Sequence, residues 1–94
     1  MRLSSGQIVY HIYPRLPHQG FFVNKVVYLM PIDDYGGVDV AMKDLVISWD
    51  PRKEKSTPYK VGETTTVDKG DLVSTLKEVR RELIRRTFLS GKIL

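Results

Sequence analysis

The amino-acid sequence predicts an α+β fold, in which an antiparallel sheet of about four strands carries one C-terminal amphipathic helix on one face. Two observations predict it. Short β-rich segments separated by proline, glycine and aspartate fill the first two thirds of the chain. In the last third the apolar residues change to the spacing of a helix. At 94 residues the chain has the length of a single small domain.

The first two strands are predicted as an antiparallel hairpin. Gln7–Tyr13 alternates between two faces, with Ile8, Tyr10 and Ile12 on one of them. The prolines that follow, at positions 14 and 17, end this strand because proline lacks the N–H that a sheet needs. Phe21–Met30 is apolar on both faces, which is typical of a central strand.

Two further strands are predicted before the helix. The turn-rich segment 31–37 leads into Val38–Trp49, which can be one long strand or two short ones broken near residues 42–44. Asp50-Pro51 ends it, and a polar, charged loop follows at 52–58. The threonine-rich stretch Tyr59–Val67 is then expected to form a fourth strand at an edge of the sheet.

The helix is predicted over Asp68–Leu89, and either Asp68 or Asp71 can serve as its N-cap. Gly91 follows, as glycine commonly does after the end of a helix. The apolar residues fall four, three and four apart in one narrow stripe, which three more residues widen; the stripe is Leu72, Leu76, Val79 and Leu83, widened by Val73, Ile84 and Phe88.

The opposite face of this helix is charged, and it has two interpretations. Pairs of opposite charge at spacings of three and four, such as Glu82 with Arg85 and Arg86, favour a solvated face with weak ion pairs. The alternative is a nucleic-acid-binding strip that joins a second basic cluster; its residues are Lys77, Arg81 and Arg85 on the helix and Arg52, Lys53 and Lys55 in the loop. The net charge of +4 is mild, and no RRM or KH motif is present.

The sheet has a second face that one helix cannot cover. Either loops or chain termini fold over it, or it exposes an apolar patch of the kind that marks a contact surface. The candidate residues for binding a protein partner, or a second copy in a homodimer, are Tyr13, Phe21, Val23, Val27 and Leu29.

Residues for catalysis or metal binding are few. The chain has no cysteine, which excludes disulfides and thiolate ligands, and His11 and His18 are its only histidines. The aspartates at 33, 34 and 39 do not have EF-hand spacing and are typical of turns. We therefore predict no catalytic residue, metal or cofactor. A small-molecule pocket between helix and sheet, near Tyr10, Tyr28 and Trp49, is a further possibility.

The sequence lacks an apolar run of the roughly 20 residues that a membrane span needs, and its N-terminus lacks the apolar core of a signal peptide. We expect a cytoplasmic protein without a membrane partner. The leading functional hypothesis is a small non-enzymatic interaction module, such as an inhibitor or regulatory factor, that acts through the apolar sheet face. Nucleic-acid binding through the basic strip is the alternative.

Overall fold

The computed structural model describes residues 2–13, 20–49 and 60–91, with only the backbone for the last three of these. It contains a five-stranded antiparallel sheet and one α-helix, which confirms the predicted fold class and adds one strand. The elements in chain order are β1 (Ile8–Tyr13), β2 (Phe21–Pro31), β3 (Gly37–Trp49), β4 (Thr64–Asp68), a 3-10 helix (Lys69–Asp71), β5 (Leu72–Val73) and α1 (Leu76–Gly91).

The strands are hydrogen-bonded in the order β4-β3-β2-β1-β5. The predicted β1–β2 pairing, the central place of β2 and the edge position of β4 are thus confirmed, although β4 begins later than predicted, at Thr64. The segment 37–49 forms one long strand. It is joined to β2 by a turn in which the Asp33 carboxylate accepts hydrogen bonds from the backbone N–H groups of Tyr35 and Gly37 at 2.8 and 3.0 Å.

Three irregularities interrupt the β2–β3 pairing. The register skips Val46 and Lys43 on β3 and Leu29 on β2, each of which is an extra residue opposite its partner strand. Such bulges increase the local twist and change which face the following side chains occupy. As a result Leu45 pairs with Asn24 and Ile47 with Val23, so these two apolar side chains lie on opposite faces of the sheet.

The sheet curls so that one face forms a core by itself. Only the three residues of the 3-10 helix connect β4 to β5, although these strands lie at opposite edges of the sheet. Val67 of β4 and Leu72 of β5 consequently join one buried cluster, which Leu3 packs against; its other members are Val9, Val26, Tyr28, Val38, Val40 and Met42. This face therefore does not form the open apolar patch that was predicted as one alternative.

The predicted start of the helix is wrong. Asp68 caps the 3-10 helix, where its side chain accepts a hydrogen bond from Gly70 N–H at 2.7 Å. The helix α1 starts at Leu76, after Thr75, whose side-chain oxygen accepts from Glu78 N–H at 3.1 Å. Leu72 belongs to β5, which pairs with the outer edge of β1.

The helix packs on the convex face of the sheet. Val79 is buried against Ile12 of β1 and Val23 of β2. Leu83 packs on the same cluster, together with Tyr10, Phe21 and Val73. Val79 and Leu83 thus face the core as predicted, whereas three other apolar residues of the predicted stripe are exposed: Leu76, Ile84 and Phe88.

Candidate interaction surfaces

The second half of β3, residues 43–49, forms an edge of the sheet. Strand β4 pairs only with the first part of β3, from Gly37 to Ala41, and the described residues provide no strand partner for 43–49 on the side away from β2. Four large apolar side chains in this segment are 38–47% exposed: Leu45, Val46, Ile47 and Trp49.

An aromatic contact extends this edge onto β2. The rings of Phe21 and Trp49 lie 6.2 Å apart between centroids, and Phe21 also packs against the cluster beneath α1. We call Phe21, Leu45, Val46, Ile47 and Trp49 the β3 surface. Ile47 and Trp49 lie at the margin of the sheet face that the helix covers. Leu45 lies at the same sheet edge, but its side chain faces the opposite side of the sheet.

The structure does not bring the five predicted partner-binding residues together. Tyr13 is exposed, but it pairs with Phe22 and so lies on the opposite face from Phe21. Val23 is fully buried beneath α1, because it lies opposite Ile12 in the cluster that the helix covers. Val23 therefore does not belong to an exposed contact surface. Val27 and Leu29 are partly buried, and Leu29 is the bulged residue of β2.

The outward side of α1 carries the three helix residues of the predicted basic strip. Lys77, Arg81 and Arg85 are exposed there, and Arg80 joins them. Leu76, Ile84 and Phe88 are exposed on the same side, and the last two are 61% and 75% exposed. We call these seven residues the outer helix face. The loop cations Arg52, Lys53 and Lys55 lie outside the described residues, so nucleic-acid binding through both clusters stays a prediction.

The carboxylates of α1 are turned away from this face and are already engaged. Glu78 accepts a hydrogen bond from Ser74 Oγ at 2.9 Å. Glu82 accepts from Arg85 Nε at 3.1 Å and from Arg86 Nε at 3.0 Å. The hydrogen bond from Arg85 is the main reason why the pKa of Glu82 is lowered to about 2. Lys77, Arg80 and Arg81 have no carboxylate partner within the described part of the chain.

Arg86 is the one arginine of α1 that turns inward among the described residues, and it is only 3% exposed. Its guanidinium lies 3.1 Å from Asp71 Oδ1 and donates to the Gly70 carbonyl oxygen at 3.1 Å. These two contacts therefore hold α1 against the 3-10 helix that connects β4 to β5. This contact could not be predicted from the sequence, because Arg86 has the position of an ordinary basic residue in the last helical turns.

A buried polar pair lies on the concave face. His11 and Asn24 are cross-strand neighbours and are 2% and 4% exposed. Burial lowers the pKa of His11 to about 4; Asp71 opposes this shift and Arg86 adds to it. The Asn24 side-chain nitrogen has no hydrogen-bond partner among the described residues. Both residues sit at the end of the core, where they interrupt its apolar packing.

The predicted small-molecule pocket is not formed by its three residues. Tyr28 lies in the concave core, Tyr10 lies beneath α1 and Trp49 belongs to the β3 surface. An open cleft of about 340 Å³ lies instead beside the β2–β3 turn and is lined by residues of both charge signs, including Arg2, Asp33, Asp34 and Lys69.

The described part of the chain lacks two further classes of feature. It holds no group of three or more His, Asp or Glu side chains placed to bind a metal ion. It also holds no helix that is long and apolar enough to cross a membrane.

No protein-family model, curated protein or solved structure matches this chain. The β3 surface and the outer helix face are therefore the features that bear on its function.

Proposed function

We propose that this protein is a non-enzymatic interaction module that binds a protein, either a partner or a second copy of itself, through the β3 surface. One observation carries the proposal. Four large apolar side chains lie within five consecutive positions at a sheet edge, and each is about two-fifths exposed. Several exposed apolar side chains at a sheet edge are costly and aggregation-prone, and they commonly mark a contact site.

The form of the edge supports contact through side chains. The bulges at Lys43 and Val46 interrupt the regular spacing of N–H and C=O groups that an added strand would need. Trp49 is the natural anchor, since tryptophan is enriched among the residues that dominate binding energy. Its position against Phe21 restrains the ring before a partner arrives.

The test compares the wild-type chain with a Leu45→Ser/Trp49→Ser variant. Tyr35→Ser is the matched control, because Tyr35 is an almost fully exposed aromatic residue at the distant β2–β3 turn. Self-association is measured by size-exclusion chromatography with light scattering, at low and high salt. Capture of proteins from an extract of the source cells is measured with the three chains immobilised in parallel.

We expect a salt-resistant complex with the wild type and with Tyr35→Ser, and its loss with the double variant. A self-associated species identifies a second copy as the ligand, and a captured protein identifies a partner. The proposal is wrong if neither kind of complex depends on Leu45 and Trp49. Circular dichroism of the double variant checks that it folds, since the substituted side chains lie outside both buried clusters.

A further inference from the structure

The outer helix face combines one sign of charge with large apolar side chains. At 100° per residue, four of its residues fall within an arc of about 60°. These are Lys77, Arg81, Ile84 and Phe88, two cations and two apolar residues. Their arc is centred opposite the direction of Val79 and Arg86, which face the sheet. The four residues therefore form the outermost ridge of the molecule along this helix.

Contacts within the described part of the chain do not account for the cations and apolar side chains of this ridge. Lys77 and Arg81, like Arg81 and Arg85, are like charges four residues apart, which destabilises a helix slightly. Lys77, Arg80 and Arg81 gain no ion pair in return within the described residues. Ile84 and Phe88 leave most of their surface in water. Both costs disappear if an occupant supplies negative charge and an apolar environment together.

Three occupants can be compared by this requirement. A second copy of the chain that presents its own outer helix face, as in a two-fold symmetric dimer, would bring the same cations against this face, so like charges would repel. A nucleic acid would satisfy the cations, but it would leave Ile84 in water, because an aliphatic side chain offers no ring for a base to stack on. An anionic lipid bilayer supplies phosphates at its surface and hydrocarbon just beneath them.

We propose that the outer helix face docks on the surface of an anionic bilayer, with α1 lying flat. The apolar side chains of Ile84 and Phe88 enter the boundary between headgroups and acyl chains, while Lys77 and Arg81 lie beside lipid phosphates. The distance from residue 77 to residue 88 along the axis is about 16 Å, so both cations and both apolar residues reach one flat surface. Val79 and Leu83 keep α1 packed on the sheet meanwhile.

This mode of binding does not need a membrane-spanning segment. The prediction of no membrane partner depended on the lack of a long apolar run in the sequence, and that criterion concerns spanning helices only. A helix that lies on a bilayer is recognised by the pattern of its faces. The basic residues of α1 and its exposed apolar residues form such a pattern.

The experiment is co-sedimentation of the full chain with vesicles of phosphatidylcholine alone or of phosphatidylcholine mixed with phosphatidylglycerol. The apolar variant is Ile84→Ser/Phe88→Ser and the charge variant is Lys77→Gln/Arg81→Gln. The controls are Tyr35→Ser and Lys60→Gln, which alter an exposed aromatic residue and an exposed cation elsewhere. The fluorescence of Trp49, the only tryptophan, reports on folding of each chain that retains it, and circular dichroism reports on folding of Leu45→Ser/Trp49→Ser.

We expect binding to the anionic vesicles only. The charge variant should bind about 25-fold more weakly, at about fivefold per cation near the surface. The apolar variant should lose more than about tenfold, because several inserted carbon groups are removed. Both controls should bind like the wild type. Leu45→Ser/Trp49→Ser should bind vesicles normally too, so this inference and the proposed protein-binding function can fail separately.

Two results would overturn the inference. One is a wild-type chain that does not sediment with anionic vesicles. The other is vesicle binding that the apolar variant retains in full, since charge alone would then account for it. A single-stranded oligonucleotide is tested in parallel. If it binds the wild type and the apolar variant equally but the charge variant weakly, and vesicles do not bind, then the face is a nucleic-acid site.

Discussion

Acid is expected to destabilise this protein through His11. The imidazole is 2% exposed and its cross-strand neighbours are Asn24 and Leu72. Burial holds its pKa at about 4, against an ordinary value of 6.5, and the Arg86 guanidinium contributes while Asp71 opposes. The unfolded chain therefore binds a proton at a higher pH than the folded chain does. Stability is full above about pH 6.5 and is lost as the pH falls towards 4.

The size of the effect follows from the pKa difference. A gap of about 2.5 pKa units corresponds to about 3 kcal/mol when the loss is complete, since one unit is 1.36 kcal/mol. At about pH 5 the loss has reached about 2 kcal/mol. The assay is urea unfolding followed by Trp49 fluorescence at about pH 7 and pH 5. Both chains carry His18→Gln, and one of them also carries His11→Gln. The two chains therefore differ only in whether position 11 holds a histidine.

The His11→Gln chain should lose little stability over this range, because glutamine does not titrate. Equal losses in the two chains would refute the argument. Direct titration of the His11 imidazole by NMR provides a second measurement, which remains decisive if His11→Gln does not fold. A measured pKa above about 6 would show that the histidine is not desolvated as its burial implies.

Two further substitutions test how α1 is held. Arg86→Met should lower the free energy of unfolding by about 3 kcal/mol in urea, because it leaves the buried side of Asp71 without its cation. The comparison is Arg81→Met, whose side chain is exposed, and for which we expect a change within about 0.5 kcal/mol. Similar losses for both would contradict the anchoring role. Thr75→Ala should lower the free energy of unfolding by about 1 kcal/mol, because the Thr75 hydroxyl accepts a hydrogen bond from Glu78 N–H. Thr75→Ser keeps a hydroxyl and should lower it much less. Equal stability of these two variants would show that the cap is not what starts the helix.

The sheet could be predicted because its strands carry the pattern locally. Phe21–Met30 is apolar on both sides, and the structure places it at the centre of the sheet with strands on both flanks. The helix start could not be placed by apolar spacing, because Leu72 continues the stripe of Leu76, Val79 and Leu83 by coincidence. In the folded sheet, Leu72 and Val73 pair with the outer edge of β1 and therefore form a strand. That edge exists only once the sheet has formed, so apolar spacing cannot indicate it.

One local signal for the helix start was present in the sequence. Thr75 and Glu78 are the first and fourth residues of a capping-box pattern, in which a threonine accepts from the backbone three residues on. The structure contains that hydrogen bond at 3.1 Å. An apolar stripe marks the face of a helix, whereas a capping residue marks its end. For this chain the capping pattern gives the boundary more accurately than the stripe does.

The candidate surfaces were harder to predict, because they depend on curvature and on bulges. The short link between β4 and β5 brings Val67 and Leu72 into one cluster, which closes the face that would otherwise be open. The bulges of β3 then send Leu45 and Ile47 to opposite sides. Neither feature can be recognised in the alternation of apolar and polar residues, so the apolar patch was predicted on the sheet face instead of at its edge.

Two neighbouring arginines of α1 show why the net charge of the chain underestimates the positive charge on the outward side of this helix. Arg85 and Arg86 differ by 100° around the helix, and that angle separates an exposed cation from one that is buried against Asp71. Glu78 accepts a hydrogen bond from Ser74, and Glu82 accepts hydrogen bonds from the buried Arg86 and from the exposed Arg85. Both carboxylates of the helix thus make contacts within the chain, whereas Lys77, Arg80 and Arg81 on the outward side have no carboxylate partner among the described residues. A chain of net charge +4 therefore presents a much more strongly positive surface along this helix than its composition indicates.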